Sequence, residues 1–337
     1  MTTQQDDQRV TLSEVAELAS VSLSTISKVL NGRKDVAPAT RARVEGLLET
    51  HGYRRRGKSR RDSGLIELVF HELHAPWSME IIRGVENIAR EHEMSVVLTE
   101  SGSRHAPGPE WIEGVLRRRP AGVVLVFSDL APEHKQQLRS RDIPFAIIDP
   151  AGDPSPDVPS VGSANWSGGL VATRHLLELG HSRIAMITGP EDMMCSLARL
   201  DGFRSAMNSA GVVVDPELVR FGDFHVDGGR KVAMELLDRE DRPTAIFAGS
   251  DLQALGAIEA ARSLGLSVPG DLSIVGYDDI SIAQWSSPSL TTIHQPLARM
   301  AEEASRIVLR LGAGGTVGNR MDLAVHLVVR DSTAPLA

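Results

Sequence analysis

Along the first fifty residues apolar positions recur three and four apart, and from Leu65 they gather into short unbroken runs separated by amphipathic stretches. The first regime predicts helices; the second predicts strands buried on both faces, each followed by a helix. In the opening segment Val15, Ala16 and Ala19 share a face with Ile26, Val29 and Leu30, enough for two short helices to close on a small core. Ser13 precedes the first as an N-cap, and Ser22 caps the second by accepting from amides of its first turn. A third helix is expected from Pro38 to His51, with Pro38 at its first position, Val44, Leu47 and Leu48 inward and Gly52 as the stop.

Beyond the head, strands are expected near 65–71, 95–99, 123–127, 145–148 and 159–162, with helices around 79–92, 110–119 and 132–140. The Pro- and Asp-rich stretch 149–157 interrupts this rhythm. A second series follows, with helices at 167–179, 200–210, 226–237, 252–264 and 296–311 and strands near 184–188, 245–248, 273–276 and 291–294. Residues 321–330 alternate Leu323, Val325, Leu327 and Val329, a strand expected to close the second sheet. The fold class is therefore α/β, a three-helix head on a body of two doubly wound parallel sheets. The divisions are 1–53 for the head, 54–63 for a linker and 64–337 for the body. Lobe 1 runs over about 64–162 and lobe 2 over about 163–290, with crossover segments in 290–337.

Candidate chemistry falls in two places. On the second helix Leu23, Ser24 and Lys28 project away from the core, where side chains reach base edges, while Ser22, Thr25, Ser27 and Asn31 are placed to bond phosphates. A plain amphipathic hairpin would share the caps but not the neighbouring run Arg54-Arg55-Arg56-Gly57-Lys58-Ser59-Arg60-Arg61, six positive charges in eight residues. Residues 1–63 carry 12 Lys or Arg against 8 Asp or Glu, a net +4, whereas the rest is −12 within a chain total of −8. Local charge meets phosphate, so an acidic chain with a basic end still suits double-stranded DNA. In the body, ligands of open α/β sheets sit outside the carboxyl ends of strands. Those ends carry Glu72, Trp77, Asp149, Asn165, Trp166, Arg199, Phe224, Ser250, Asp251 and Asp278. Carboxylates and an Arg that bond hydroxyls, with aromatics that stack on ring faces, suit a neutral polyol such as a sugar. The plainer reading of Trp77, Trp166 and Phe224 is core packing; a purine or nucleoside is the alternative ligand.

Composition removes other classes. With 337 residues, 42% hydrophobic and 24% charged, the chain has ordinary globular usage. It shows no transmembrane run and no secretory pattern at its start, so a bacterial cytoplasmic, nucleoid-associated location is expected. The single Cys195 excludes an internal disulfide and, without a His pair at ligand spacing, argues against structural zinc; it is expected to be an inert thiol. His71, His74 and His294 are read as structural or surface residues. No cofactor is expected: neither lobe has Gly-x-Gly-x-x-Gly after its first strand, and the glycines of 312–318 follow a helix as a flexible connector. No nucleophile elbow or carboxylate pair argues for catalysis, so an enzyme reading is set aside. A ligand sensor acting through protein partners remains the other class, which the basic linker disfavours.

These residues together resemble the lactose and galactose repressor (LacI/GalR) family of bacterial regulators. The marks are Val10-Thr-Leu-Ser-Glu-Val-Ala, Val21-Ser-Leu-Ser-Thr-Ile-Ser-Lys-Val-Leu-Asn-Gly32, Thr40-Arg41 with Val44, Gly52-Tyr53, His175 to His181, Arg199-Leu-Asp-Gly-Phe203, Leu255-Gly256, and Val275-Gly-Tyr-Asp-Asp279 followed by Leu290-Thr-Thr-Ile-His-Gln. The resemblance spans residues 10–331. It implies a helix-turn-helix head on a periplasmic-binding-protein-like sensor body, in a homodimer that grips a pseudo-palindromic operator and changes affinity when a small effector fills the cleft. It further implies that Leu23, Ser24 and Lys28 read bases, that Arg199 and Asp278 contact effector, and that the helix starting near Met79 joins the dimer interface.

Three features depart from the family pattern. Arg54 to Arg61 replace the usual linker helix with its Leu wedge, Ser250 stands where Asn is frequent, and Ala37 stands where Ser usually caps the third helix, a loss of roughly 1 kcal/mol at most. Electrostatic clamping is expected to replace part of the wedge. Neutralising Arg54, Arg55, Arg56, Lys58, Arg60 and Arg61 should then make the salt dependence of DNA binding shallower, read as log Kd against log salt; an unchanged slope would sink the idea.

Overall fold

A computed structural model describes residues 12–30, 36–50, 63–73, 76–102, 109–126, 130–150 and 157–336. The chain divides into two compact units, Met1–Asp62 and Ser63–Ala337.

In the first unit α1 (Leu12–Leu18), α2 (Leu23–Leu30) and α3 (Pro38–Thr50) close on Val15, Ala16, Ala19, Ile26, Val29, Val36, Val44 and Leu48. Ser20 adopts φ 53° at the end of the first helix, the left-handed step that turns the chain toward the second. Asn31, the linker cations and the third helix's expected stop at Gly52 lie outside the described residues.

The second unit runs β1 (Leu65–Phe70), α4 (Trp77–Glu91), β2 (Ser95–Glu100), α5 (Pro109–Arg118), β3 (Gly122–Val126), α6 (Pro132–Ser140), β4 (Phe145–Ile148) and β5 (Ser160–Ser163). It continues with α7 (Asn165–Glu178), β6 (Ile184–Thr188), α8 (Met194–Ser209), β7 (Val219–Phe221), α9 (Val226–Leu237), β8 (Ala245–Ala248) and α10 (Asp251–Ser263). The last elements are β9 (Ser273–Asp278), α11 (Ser281–Trp285), β10 (Thr291–His294), α12 (Leu297–Gly312), β11 (Arg320–Leu323) and β12 (His326–Val328). Two six-stranded sheets result, ordered β11-β5-β4-β3-β1-β2 and β12-β10-β9-β8-β6-β7. Every pairing is parallel except the antiparallel β10 with β12.

Two expectations are corrected. Residues 321–330 are not one strand: β11 joins the first sheet, pairing Met321 with Val161, and β12 closes the second, pairing Leu327 with Ile293. The helix at 296–311, expected in lobe 2, packs against α4 in lobe 1, where Leu297, Met300, Ala301 and Ala304 share a core with Ile81 and Val85. Alternation identifies a strand but not the sheet that receives it, because both sheets offer an apolar edge. The chain thus crosses between lobes three times, at Ser163–Asn165, at Gln295–Pro296 and between β11 and β12.

The α4–α12 contact depends on Gly84, where an added Cβ would lie 2.1 Å from the Ala298 carbonyl oxygen. Backbone cannot yield as a side-chain tip can. Gly84→Ala is expected to destabilise by about 1–3 kcal/mol despite alanine's better helix propensity, measured as a lower urea midpoint at constant m value.

Candidate effector cleft and DNA-reading helix

In the head, the periodicity that buries Ile26 and Val29 turns the opposite face of α2 outward. Leu23 is 52% exposed, and Ser24 and Lys28 are exposed beside it. Ser22 is the predicted cap: its Oγ accepts from the Thr25 amide at 3.2 Å and lies 2.7 Å from Ser24 Oγ and 2.9 Å from Thr25 Oγ1. The first turn is therefore a cluster of three hydroxyls with unfilled bonding capacity, a surface suited to phosphate oxygens.

The body's site is built around Arg199, buried on α8. Its Nε donates to Asn165 Oδ1 at 2.8 Å, Nη1 to the Gly249 carbonyl at 2.5 Å, and Nη2 to Gln295 Oε1 at 3.1 Å. The guanidinium lies 3.6 Å from the centroid of the Tyr277 ring and 5.5 Å from that of Phe224. Asn165 Nδ2 donates to the Ser163 carbonyl at 3.2 Å and Ser163 Oγ to Gln295 Oε1 at 2.7 Å, so one cation ties two of the three crossings together. A charge this buried is tolerated only with such partners.

Asp278 approaches Arg199 to 4.0 Å, and Asp149 faces it from the end of β4. Burial pushes Asp149 up to about 6, opposed by Arg199 and reinforced by Asp322. Burial likewise pushes Asp278 up to about 7, opposed by Arg199 and reinforced by Asp149. Asp149 Oδ2 has no hydrogen-bond partner. Asp149, Phe224, Asp278 and Asp279 all hold positive φ, so the chain is strained at the strand ends where ligands of this architecture sit.

The remaining expected residues divide. Glu72, after β1, lies 3.4 Å from His225 Nε2 at the start of α9, a polar contact from lobe 1 to lobe 2. Trp77 tilts on Phe70 at 5.9 Å and packs against the lobe 1 core, while Trp166 is 46% exposed on α7. Ser250 and Asp251 turn inward. Ser250 Oγ caps α10, accepting from the Gln253 amide at 3.1 Å, and donates to the Phe224 carbonyl at 3.1 Å. Asp251 accepts from the Ile280 amide at 2.9 Å and from Thr292 Oγ1 at 2.5 Å, and burial raises its carboxyl well above the usual range. Ser250 thus supports Phe224, and Asp251 secures the turn after β9. Cys195 is buried, its thiol pushed up to about 11, and His294 Nδ1 lies 3.0 Å from Asp279; His74 lies outside the described residues. Sequence reasoning did not assign Ser163, Gln295 or His225; Gln295 was visible only as the last residue of the 290–295 motif.

Residues 11–56 match the bacterial regulatory proteins, lacI family, and residues 173–333 match the periplasmic binding protein-like domain. The HTH-type transcriptional repressor CytR of Escherichia coli strain K12 is 34% identical over 341 aligned positions, covering 100% of both chains. The chain belongs to the LacI family. It is a DNA-binding transcriptional regulator, not an enzyme, as its matched relatives are. This regulator is also 36% identical to CelR of Thermobifida fusca, with 96% of this chain and 98% of that protein covered. A CelR–cellobiose complex superposes with a TM-score of 0.73 at 34% identity, covering 96% of this chain and 100% of that one. The lac repressor dimer bound to operator and the anti-inducer ONPF gives 0.68 at 28% identity, covering 97% and 100%. Among the described residues no helix is long and apolar enough to cross a membrane.

Asp149 and Asp278 bind protons more readily folded than unfolded, their ordinary value being 3.8. Their contribution to stability is full below that value and is lost as pH rises through about 6 and about 7. The melting temperature of the ligand-free protein should fall across that window, and Asp278→Asn, which does not ionise, should flatten the fall. Parallel curves for parent and variant would contradict the assignment.

Proposed function

We propose that this regulator is a saccharide-responsive repressor that binds a pseudo-palindromic operator as a homodimer and changes DNA affinity when a small sugar enters the interlobe cleft. The observation that carries the reading is Arg199, buried 4.0 Å from Asp278 and electrostatically coupled to Asp149, with aromatic rings beside it and with hydrogen bonds to residues of two lobe crossings. Two carboxyls and a guanidinium present acceptors and donors to vicinal hydroxyls. Phe224 and Trp77 offer ring faces, Glu72 and Asn165 border the site, and Trp166 lies on the same helix as Asn165. Ser250 and Asp251 act through Phe224 and the β9 turn. The cellobiose of the CelR complex, and the ribose in a LacI-family regulator of Enterococcus faecium that superposes at a TM-score of 0.73 with 27% identity over 81% of this chain, support a sugar over a nucleoside.

In this scheme Leu23, Ser24 and Lys28 read base edges. Ser22, Thr25, Ser27, Asn31 and Arg54, Arg55, Arg56, Lys58, Arg60 and Arg61 meet the phosphates. Dimerisation is supported by large apolar side chains left in water on the body, among them Met79 at 63% and Trp285 at 78% exposure. Ligand closes the lobes about the three crossings and shifts the population between DNA-competent and DNA-incompetent dimers. The regulator acts on the nucleoid in the cytoplasm.

The deciding experiment measures binding to a fluorescent fragment of its own upstream DNA with cellobiose, ribose, cytidine and guanine in turn. Specific binding altered by a saccharide alone supports the reading, whereas a response to cytidine or guanine alone replaces the sugar. Lys28→Ala should weaken operator binding by about 1–3 kcal/mol without unfolding the head; unchanged affinity would remove Lys28 from the reading surface.

A further inference from the structure

A second group beside Arg199 has no role in the scheme above. Ser196 is 0% exposed, and its Oγ is one of the few buried polar atoms among the described residues without a hydrogen-bond partner. It stands three residues before Arg199 on α8, so the two side chains share one helix face. Its backbone is fixed, the carbonyl accepting from Thr188 Oγ1 at 3.0 Å.

Phe224 covers this hydroxyl. A Cβ built on Gly189 would lie 1.9 Å from Phe224 Cζ and 2.4 Å from Ser196 Oγ, so ring edge and hydroxyl press on the same point beyond the end of β6. The Phe224 backbone is held at φ 67° with its carbonyl bonded to Ser250 Oγ, which leaves rotation of the ring as its freedom. A buried hydroxyl without a partner is unfavourable, and alanine would fill the space without that penalty.

We infer that Ser196 is a specificity-determining contact for the effector: its hydroxyl pairs with one hydroxyl of a bound saccharide when the Phe224 ring leaves Gly189 to stack on the sugar face. The inference rests on the saccharide reading of the cleft. It assigns a hydroxyl-recognition point to lobe 2, while lobe 1 has its own unpaired acceptor in Asp149 Oδ2. A ligand satisfying both bridges the lobes through groups that have no internal competitor.

The test is calorimetric titration of the full-length protein with cellobiose and with ribose, followed by the monodeoxy analogues of whichever binds. Ser196→Ala should weaken that saccharide about tenfold, the worth of one hydrogen bond, and melt no lower than the parent. The deoxy analogue lacking the partner hydroxyl should bind parent and variant alike, a result that a purely structural role would not produce. Equal affinity of parent and variant for the intact saccharide, or equal losses for every deoxy analogue, overturns the inference while leaving the saccharide reading in place. If the parent binds neither cellobiose nor ribose, the saccharide reading itself fails and this inference with it. Should the alanine variant not fold, Ser196→Cys, which keeps a γ heavy atom and weakens the donor, gives the same comparison.

Discussion

A guanidinium removed from water must find its hydrogen bonds inside the protein, and the body of this regulator is arranged around that demand at Arg199. Its donors reach Asn165, the Gly249 carbonyl and Gln295, and two of those partners sit where the chain passes between lobes. The side chain proposed to contact the effector therefore also secures two of the three crossings between lobes. A ligand oxygen that takes one of these donors competes directly with a hinge contact. On the proposed reading, occupancy and lobe geometry are joined at this one residue.

The carboxyls around it express the same constraint from the other sign. Asp149 and Asp278 are both buried near Arg199; burial raises both carboxyls against that cation, reinforced by Asp322 at Asp149 and by Asp149 at Asp278. A ligand hydroxyl that donates to either carboxylate would offset part of its desolvation. The left-handed backbone at Asp149, Phe224, Asp278 and Asp279 belongs to the same economy of position: strain is held where side chains must be aimed into the cleft, and the surrounding sheets over-determine it.

Much of this was legible in the residues. The head's core, Ser22 as a cap and the outward face of Leu23, Ser24 and Lys28 follow from helical spacing alone. Asp278, at the end of β9, and Arg199, which the structure places on α8, stood out because charges in such positions need partners or ligands. Ser250 and Asp251 misled because a polar residue opening a helix reads equally as a ligand arm or as a cap, and only the Gln253 amide and the Ile280 amide decide for internal bonding. Ser196 carried no signal at all, since a serine in a helix is ordinary until its surroundings leave it unpaired.

By itself the sequence determined what local periodicity and charge can determine: a helical head with a basic outer edge, alternating strands and helices, and a set of polar strand ends. The tertiary structure decided which sheet received each late segment, sending α12 and β11 to the first lobe and β12 to the second. It also decided which polar groups face one another, placing Glu72 against His225 and Gln295 against Arg199 across more than ninety residues of chain. The reason is physical: helix and strand formation is governed by neighbours a few residues apart, whereas sheet membership and the pairing of buried charges depend on contacts that exist only once both lobes have closed on their cores.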